Sequence, residues 1–446
     1  MPGHKMSLFG SMPSVMVIFL TGSTGLLGSR IAMALRAGGH SVICCARRPP
    51  ADARANEGFR FVTLDFAHVH DQATLIPLLE GVDVVINAVG IFSDRTGHDF
   101  QRLHADAPAL LFDASVRAGV RRIVQISALG ADEHAVSSYH LTKRAADDAL
   151  RASPVSSLIV QPSLVFAPEG ASTTFLSAWS TLPVVPLPGR GLQRIQPVHV
   201  DDVVELVMRG ALATDAVSET VAAVGPEPMT MRSYLAVLAR LAGASAPRFV
   251  SLPMSLVRIS ARIGERLPGG FVSSDSIGML ERGNTASADG MTRWLGRPPR
   301  PLSQLRAMPE SLGVRAKLTW LIPLLIASVA AVWIWTAIVS AWLYPRAESL
   351  HLLQRVGAPA GTRVFLLYSA ALFDLLLGCL SLWWPRRLGP RTRLWHCQIA
   401  LIILYTVLIS WRLPEFWLHP YGPLSKNLPM LAALVLLVQL DRRNRK

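Results

Sequence analysis

Hydrophobic residues follow two different patterns along the chain, and the change between them lies near residue 317. From residue 15 to residue 165, short β-rich apolar runs alternate with longer helical stretches, which is typical of a parallel sheet covered by helices. The pattern predicts strands at 15–20, 41–46, 60–65, 83–88, 122–127 and 157–161. It predicts the intervening helices at 26–38, 72–80, 100–119 and 137–152.

From residue 162 the chain becomes richer in proline and glycine, which indicates a smaller lobe with shorter elements. Helices are predicted at 202–213, 229–242 and 252–265, the first with Asp201 or Asp202 as its N-cap. The loose stretch GRPPRPLSQ ends this part near residue 305. We therefore predict one α/β domain, a doubly wound parallel sheet, over residues 1–305, with a substrate lobe in about 162–305.

The second pattern consists of long apolar runs. Leu318 to Leu343 is 26 residues without a charge, which exceeds the roughly 20 residues that a membrane span needs. Three later runs predict further spans. Asp374 interrupts the first of these three runs, and the last of them is the shortest. We expect an all-α, four-helix transmembrane domain over 316–446, with spans at 318–343, 364–384, 394–411 and 424–440.

Composition agrees with a chain divided in this way. Hydrophobic residues make up 51% and charged residues 17%, which is too apolar for a soluble enzyme and too charged for an all-membrane protein. The net charge of +14 forms no nucleic-acid-reading motif, and many basic residues flank the apolar runs, so we expect no nucleic-acid partner. The four cysteines have no CxxC spacing, and no histidine cluster suggests a metal site.

The strongest chemical signal is the glycine loop TGSTGLLG, which follows the first strand directly. Its glycines Gly22, Gly25 and Gly28 permit a tight turn, close approach of the backbone to a diphosphate and close packing of helix on strand. The helix N-terminus offers free N–H groups and the positive end of its dipole to the phosphates. The loop predicts a dinucleotide site that includes Thr24 and Leu26.

The end of the second strand indicates which dinucleotide binds. NAD sites place an acid there, but this chain continues from Ala46 into Arg47 and Arg48. A guanidinium can bind a 2′-phosphate with two hydrogen bonds, whereas a carboxylate would repel it. We therefore expect NADP as the cofactor. If the two arginines are ordinary surface residues that do not bind the cofactor, NAD is the alternative.

Tyr139 and Lys143 stand four residues apart in SYHLTK, so on a helix they share one face. An adjacent ammonium is expected to favour the phenolate and to lower the pKa of the tyrosine from about 10. Lys143 is also the only lysine between Lys5 and Lys317, in a chain that otherwise uses arginine. A site that needs a compact point charge would not tolerate the replacement of lysine by arginine.

Together these motifs resemble the short-chain dehydrogenase/reductase superfamily over about residues 14–300, in its extended and atypical branches. The resemblance includes FVTLDFA, NAVG, VRRIVQISALG, SYHLTK, VQPSLVFAP and QPVHVDDVV, and is closest to the branch with an accessory subunit of respiratory complex I. It implies that Asp65 contacts the adenine and that Asn87 and Ala88 pass beneath the cofactor. It also implies that Tyr139 exchanges a proton with the substrate and that Lys143 holds the nicotinamide ribose.

Two positions depart from the superfamily's pattern. The serine that usually polarises the substrate carbonyl aligns with Ala128, which leaves Ser127 either as the catalytic donor or as a structural hydroxyl at the strand end. His104 stands where relatives often carry an asparagine. Both departures question standard carbonyl reduction.

Residues from about 316 to the end resemble the DoxX-like membrane family, in the wide first span, LFDLLLG and LPEFWLHPYGPLSKNLP. A carboxyl within a span, such as Asp374, is costly and often functional, the alternative being a neutral or capped acid near the interface. Ten basic residues flank one set of helix ends and five the other. The positive-inside rule then places both termini in the cytoplasm and the protein in the inner membrane.

These patterns favour an NADP-dependent oxidoreductase, anchored in the lipid bilayer, that acts on a hydrophobic, membrane-dissolved substrate. Two alternatives remain open. One is a non-catalytic NADP-binding sensor or assembly module with a membrane-complex partner. The other is an epimerase or dehydratase of the extended branch.

Overall fold

A computed structural model describes residues 15–48, 58–91, 99–216, 218–264, 274–305, 310–420 and 422–443. The chain divides into two compact units, Met1–Ala316 and Lys317–Lys446.

The first unit is built on a seven-stranded parallel sheet. Its strands are β1 Val17–Thr21, β2 Ser41–Ala46, β3 Arg60–Thr63, β4 Val84–Asn87, β5 Arg122–Ile126, β6 Ser156–Pro162 and β11 Ser218–Ala223. Across the sheet they lie in the order β11-β6-β5-β4-β1-β2-β3. The six predicted strands are all present, with no end displaced by more than two residues. The seventh, β11, was not predicted; it pairs with β6 and extends the sheet at that edge.

Helices cover both faces of this sheet. They are α1 Leu26–Ala37, α2 Ile76–Leu79, α3 Ala107–Arg117, α4 Ser138–Arg151 and α6 Val200–Leu212, whereas α5 Ala171–Ser180 packs in the core of the smaller lobe. A short helix at Asp99–Gln101 and a π-helical turn at Arg102–Asp106 lead into α3. Single-turn 3-10 helices lie at Phe66–His68 and Gln72–Thr74.

Alternation along β1 shows how the two faces are filled. Ile18 and Leu20 pack in a core with Ile31 and Leu35 of α1 and with residues of α6. Phe19 points to the opposite face and packs with residues of α3 and α4. Because side chains alternate along a strand, one apolar run supplies both cores. The predicted doubly wound α/β fold is confirmed.

The smaller lobe has a separate core under short strand pairs. Its strands are β7 Val165–Phe166, β8 Val184–Pro188, β9 Arg194–Ile195, β10 Val198–His199, β12 Met229–Thr230 and β13 Arg248–Leu252. Its helices are α7 Met231–Leu241, α8 Met254–Gly264 and α9 Ser274–Arg282. The helix α10 Asp289–Leu295 returns to the main sheet, where Met291 and Leu295 pack in the core with α6 and β11, and a 3-10 turn follows at Leu302–Gln304. The strand β8 pairs with β13, β7 with β10 and β9 with β12. These short pairs were not predicted.

The predicted N-cap of α6 was wrong. The helix begins after His199, whose ring Nδ1 accepts a hydrogen bond from the Asp201 N–H at 3.2 Å. Asp202 is instead fully buried, where its carboxylate accepts hydrogen bonds from the Arg297 guanidinium and the Arg300 N–H, each at 2.7 Å. Asp202 therefore ties α6 to the chain segment after α10.

The second unit consists of long apolar helices. They are α11 Glu310–Ile338 with a π-helical extension at Val339–Leu343, α12 Arg346–Val356, α13 Arg363–Leu382, α14 Thr392–Arg412 and α15 Asn427–Arg443. Short 3-10 turns lie at Ala360–Thr362, Arg386–Leu388 and Pro414–Trp417.

Among the residues that the structure describes, three segments are long and apolar enough to cross a membrane: Leu312–Leu343, Ala360–Leu382 and Thr392–Arg412. The apolar part of α15, Asn427–Asp441, is shorter, as the sequence predicted for the last segment. The Trp395 indole donates to Asp441 at 2.7 Å, and the Asn427 amide donates to Thr406 at 2.9 Å. These two contacts at opposite ends pair α14 with α15 in antiparallel fashion.

The buried carboxylate of Asp202 yields a stability prediction. Asp202→Asn should lower the unfolding free energy of the first unit by about 2–3 kcal/mol, since it weakens a buried, charged hydrogen-bond pair. The corresponding loss in Tm is about 5 °C or more, measured by thermal unfolding of the full chain in detergent. Asp201→Asn is the matched control, because Asp201 keeps 47% of its side-chain surface exposed and should change Tm little. Equal shifts for both variants would contradict the assignment.

Candidate functional site

The glycine loop between β1 and α1 is a point of very close backbone approach. Gly22 has φ +65°, and a Cβ there would lie 2.5 Å from the Ala88 carbonyl oxygen. A Cβ at Gly28 would lie 2.1 Å from the Gly22 carbonyl oxygen. Gly25 caps α1 without a side-chain hydrogen bond, so the first turn of the helix keeps its N–H groups for an anion. The loop therefore fits a dinucleotide diphosphate, with Thr24 exposed and Leu26 half-buried beside it.

A row of hydrogen bonds joins the carboxyl ends of three strands next to this loop. The Thr21 hydroxyl donates to Asn87 Oδ1 at 2.6 Å, and Asn87 Nδ2 donates to Gln125 Oε1 at 2.7 Å. All three side chains are fully buried. The row fixes the ends of β1, β4 and β5 relative to one another, at the switch point where doubly wound sheets bind ligands.

The predicted adenosine-side residues lie along the same edge of the sheet. Arg47 and Arg48 follow β2 and are exposed. Asp65 follows β3, where its carboxylate accepts from the Ala67 N–H at 3.1 Å and caps a 3-10 turn. The Leu64 N–H donates to the Ala46 carbonyl at 3.1 Å, so the two strand ends are held side by side. The edge thus offers two guanidinium groups next to one carboxylate.

Lys143 lies on α4 and is almost fully buried. Its ammonium donates to the Ile126 carbonyl at 3.0 Å and to the Val89 carbonyl at 3.2 Å, at the ends of β5 and β4. Burial lowers the pKa of Lys143 to about 8, against the opposing effect of the Asp147 carboxylate. A Cβ at Gly90 would meet Lys143 Nζ at 3.4 Å, so the glycine leaves room around the ammonium.

Tyr139 lies one turn before Lys143 and is half-buried among aromatic rings. Its ring is 5.4 Å from that of His104 and 5.8 Å from that of Phe100, both edge-on. The expected lowering of the tyrosine pKa was wrong for this structure. Burial raises the pKa of Tyr139 to about 12, while the ammonium of Lys143 is directed to two carbonyl oxygens. The phenol therefore keeps its proton at neutral pH.

Ser127 faces a buried carboxylate. Its hydroxyl donates to Asp147 Oδ2 at 2.5 Å, and Gln161 Nε2 donates to the same oxygen at 3.1 Å. Burial raises the pKa of Asp147 to about 6, although both of these hydrogen bonds favour the carboxylate. This geometry favours the structural alternative for Ser127. The sequence reading missed Asp147 and Gln161, although Asp147 follows Lys143 by four residues and thus shares its helix face.

His104 is fully buried in the π-helical turn before α3. Its Nε2 accepts from the Ile91 N–H at 3.1 Å, which leaves the proton of a neutral ring on Nδ1, 3.4 Å from the Thr142 hydroxyl. His104 therefore links the segment after β4 to α4. That segment also supplies the Val89 carbonyl to Lys143, so the histidine supports the position of the ammonium.

Comparison with known protein families matches both units. Residues 22–177 match the model described as NAD(P)H-binding, and residues 330–435 match that of the DoxX-like family. The first match covers the three glycines of the loop, Asn87 and Gln125 of the strand-end row, and the helix with Tyr139 and Lys143. The chain thus binds NAD(P) in its first unit, and the second unit is a DoxX-like membrane domain.

Individual relatives match part of the chain. The chain is 32% identical over 188 residues to the ceramide reductase of Caulobacter vibrioides, covering 42% of this chain and 58% of that protein. It is 27% identical over 220 residues to subunit 9 of the NADH dehydrogenase [ubiquinone] 1 alpha subcomplex of Mus musculus, covering 48% of this chain and 58% of that protein. The matches thus span a little over half the length of these relatives. The predicted resemblance to the complex I accessory subunit is confirmed.

Among solved structures, a nucleoside-diphosphate-sugar epimerase from Staphylococcus aureus has the same fold, with a TM-score of 0.54 at 19% identity over 65% of this chain and 98% of that one. At this identity the likeness concerns the fold alone. The chain thus combines a Rossmann-fold unit that matches the NAD(P)H-binding family over residues 22–177 with a C-terminal unit that matches the DoxX-like family over residues 330–435.

Proposed function

We propose that this protein is a membrane-anchored, NADP-dependent oxidoreductase that reduces a carbonyl group of a hydrophobic, membrane-dissolved substrate. One observation carries the proposal: Tyr139 lies one helical turn from the buried Lys143, at the strand ends next to the dinucleotide loop. The membrane domain and the relative named for a ceramide support a lipid-like substrate.

The raised pKa of Tyr139 suits a role as proton donor to the substrate oxygen. A phenol with a pKa of about 12 is a proton donor at neutral pH and a poor base. Bound NADPH would supply the hydride to the substrate carbon. Tyr139 would donate its proton to the substrate oxygen as negative charge develops there. Lys143 would hold the nicotinamide ribose with its ammonium. Asn87 and His104 would help to position that ammonium, because they hold the strand ends whose carbonyls accept its hydrogen bonds.

The second candidate is a non-catalytic NADP-binding module in a membrane complex. It is favoured by the match to the NADH dehydrogenase subunit and by the position of the Ser127 hydroxyl, which donates to Asp147. Carbonyl reduction in this protein would then lack the usual serine donor. The tests below separate the two candidates.

The two arginines after β2 should select NADP over NAD. Arg47→Asp should weaken NADPH binding at least tenfold, since a charged hydrogen bond to the 2′-phosphate is replaced by repulsion. NADH binding should stay the same or improve, and isothermal titration of the full chain measures both. Arg60→Asp is the matched control, because Arg60 is exposed at the opposite end of the neighbouring strand. Equal losses for both cofactors would refute the assignment to the 2′-phosphate.

Tyr139 should be needed for turnover and not for cofactor binding. Tyr139→Phe should lower kcat at least 100-fold with little change in NADPH affinity, because the phenol acts only in the reacting complex. Lys143→Ala should damage both, and Lys143→Arg should not restore them, since a planar fork does not replace a point charge. The assay is NADPH oxidation by detergent-solubilised protein with long-chain lipid carbonyls and quinones.

The sensor candidate gives a different pattern in the same experiment. Tyr139→Phe would then be silent in every assay and in cells, while Gly28→Ala would still cause a defect by closing the dinucleotide loop. Gly278→Ala is the control for the glycine change, because a Cβ there meets nothing within 4 Å. This pattern would exclude the oxidoreductase and leave the cofactor site in place.

Both termini are proposed to be cytoplasmic, with the protein in the inner membrane. Of the ten basic residues on the positive side, Arg445 and Lys446 lie outside the described residues. Reporter fusions after Lys446 and within Arg346–Val356 should report opposite compartments. A fusion after Lys446 that reports the periplasm would mean that α15 does not cross.

A further inference from the structure

The inner face of α13 carries one acid. Buried positions recur on this helix at Ala371, Asp374, Leu377, Gly378 and Ser381, a spacing of three and four that defines the face turned to the other helices. Asp374 is 6% exposed, whereas Leu372, Phe373 and Leu376 next to it are 41–58% exposed. Asp374 lies near the middle of a segment long enough to cross a membrane. Its carboxyl is therefore inside the helix bundle and away from the lipid-facing side.

Two hydrogen-bond acceptors in this interior have no partner among the described residues. They are Oδ1 of Asp374 and Oε1 of Gln398, which is fully buried on α14. Gln398 is held by its other end, since Nε2 donates to Ser381 Oγ at 2.7 Å. A carboxylate left unpaired in an apolar interior is strongly destabilising, because it loses its hydration without gaining a partner. A proton, an ion or a hydrogen-bond donor is the chemistry that relieves this cost.

Polar groups continue from this point to one end of the bundle. Ser381 lies two turns after Asp374 on the same face, and its carbonyl accepts from the Arg391 guanidinium. Arg391 stacks over the Trp395 ring, with 4.9 Å from the guanidinium carbon to the ring centre. Trp395 in turn donates to Asp441. These residues, Gln398, Ser381, Arg391, Trp395 and Asp441, form a polar strip at the basic end of the bundle, and Asp374 lies two turns from it on the same face of α13.

We propose that Asp374 is a binding site for an exchangeable proton, reached from the end of the membrane unit that carries Arg391 and Asp441. A proton neutralises the buried carboxylate and converts an unpaired acceptor into a donor, and it needs no cavity. Tyr405 on α14 interacts electrostatically with Asp374. Titratable residues nearest to it along the two helices are Tyr368 and Cys379 on α13 and His396 and Cys397 on α14. The helix α11 carries Glu310, Arg315 and Lys317 in its first turns, α15 carries Asp441, Arg442 and Arg443 in its last turn, and α12 carries Arg346, Glu348, His351 and Arg355.

The test uses dicyclohexylcarbodiimide, an apolar reagent that modifies protonated carboxyl groups in apolar surroundings. The full chain is treated in native membranes between about pH 5 and about pH 9, and modified peptides are quantified by mass spectrometry. We expect modification at Asp374 that falls severalfold as the pH rises, and none after Asp374→Asn. Asp441 is the matched control, because its carboxylate is hydrogen-bonded to Trp395 at the helix end and should stay unmodified.

Three outcomes would overturn the proposal. Absence of modification at Asp374 would mean that the carboxyl is not protonated, and constant modification at every pH would mean a fixed, structural proton. Protection by sodium at constant pH would assign the site to a metal cation.

The route of exchange is tested in sealed vesicles with different pH on the two sides. The modification at Asp374 should follow the pH on the side of the C-terminus. Gln398→Leu and Ser381→Ala each interrupt the polar strip and should slow the response to a pH change at least severalfold. A response that follows the opposite side, or that neither variant alters, would refute entry through this end.

Discussion

The first unit depends on a steric constraint where three pieces of backbone meet. Gly28 on α1 lies against the Gly22 carbonyl, and Gly22 lies against the Ala88 carbonyl, with no room for a Cβ at either position. This contact brings the N-terminus of α1 to the ends of β1 and β4. It also leaves the helix N–H groups facing the space where a dinucleotide diphosphate is stabilised. A larger side chain would separate helix from sheet and remove the phosphate site at the same time.

The buried ammonium of Lys143 depends on the same strand ends. Val89 and Ile126, whose carbonyls accept its hydrogen bonds, follow or end β4 and β5, and the Thr21–Asn87–Gln125 row keeps those strands aligned. Asp147 stands one turn further on α4 and favours the charged form of the lysine. Burial and these polar partners act in opposite directions, which holds the pKa of Lys143 at about 8, close to the range where enzymes work.

In the membrane unit, apolar side chains lie on the outside and several polar side chains lie inside, which is the opposite of the arrangement in a water-soluble domain. Its lipid-facing surface carries exposed Leu, Phe and Trp side chains, while Asp374, Ser381 and Gln398 are buried in the bundle. Without water in the hydrocarbon region, polar side chains find partners only in the protein interior. Gly378 assists, since a Cβ there would lie 2.6 Å from Ile334 on α11, so two helices approach closely beside the polar strip.

The sequence by itself determined the six core strands, the glycine loop, the Tyr139–Lys143 spacing and the apolar spans. These features depend on local periodicity and on short motifs, which a single chain segment contains in full. Only the tertiary structure decided what each polar group meets. The strand β11 exists because β6 offers it a partner, and His199 caps α6 although two aspartates follow it. Ser127 donates to Asp147, and the ammonium of Lys143 is directed to two carbonyls instead of to the phenol. Hydrogen-bond partners and burial join residues far apart in the chain, and therefore the pKa values of the site follow from packing that no local pattern encodes.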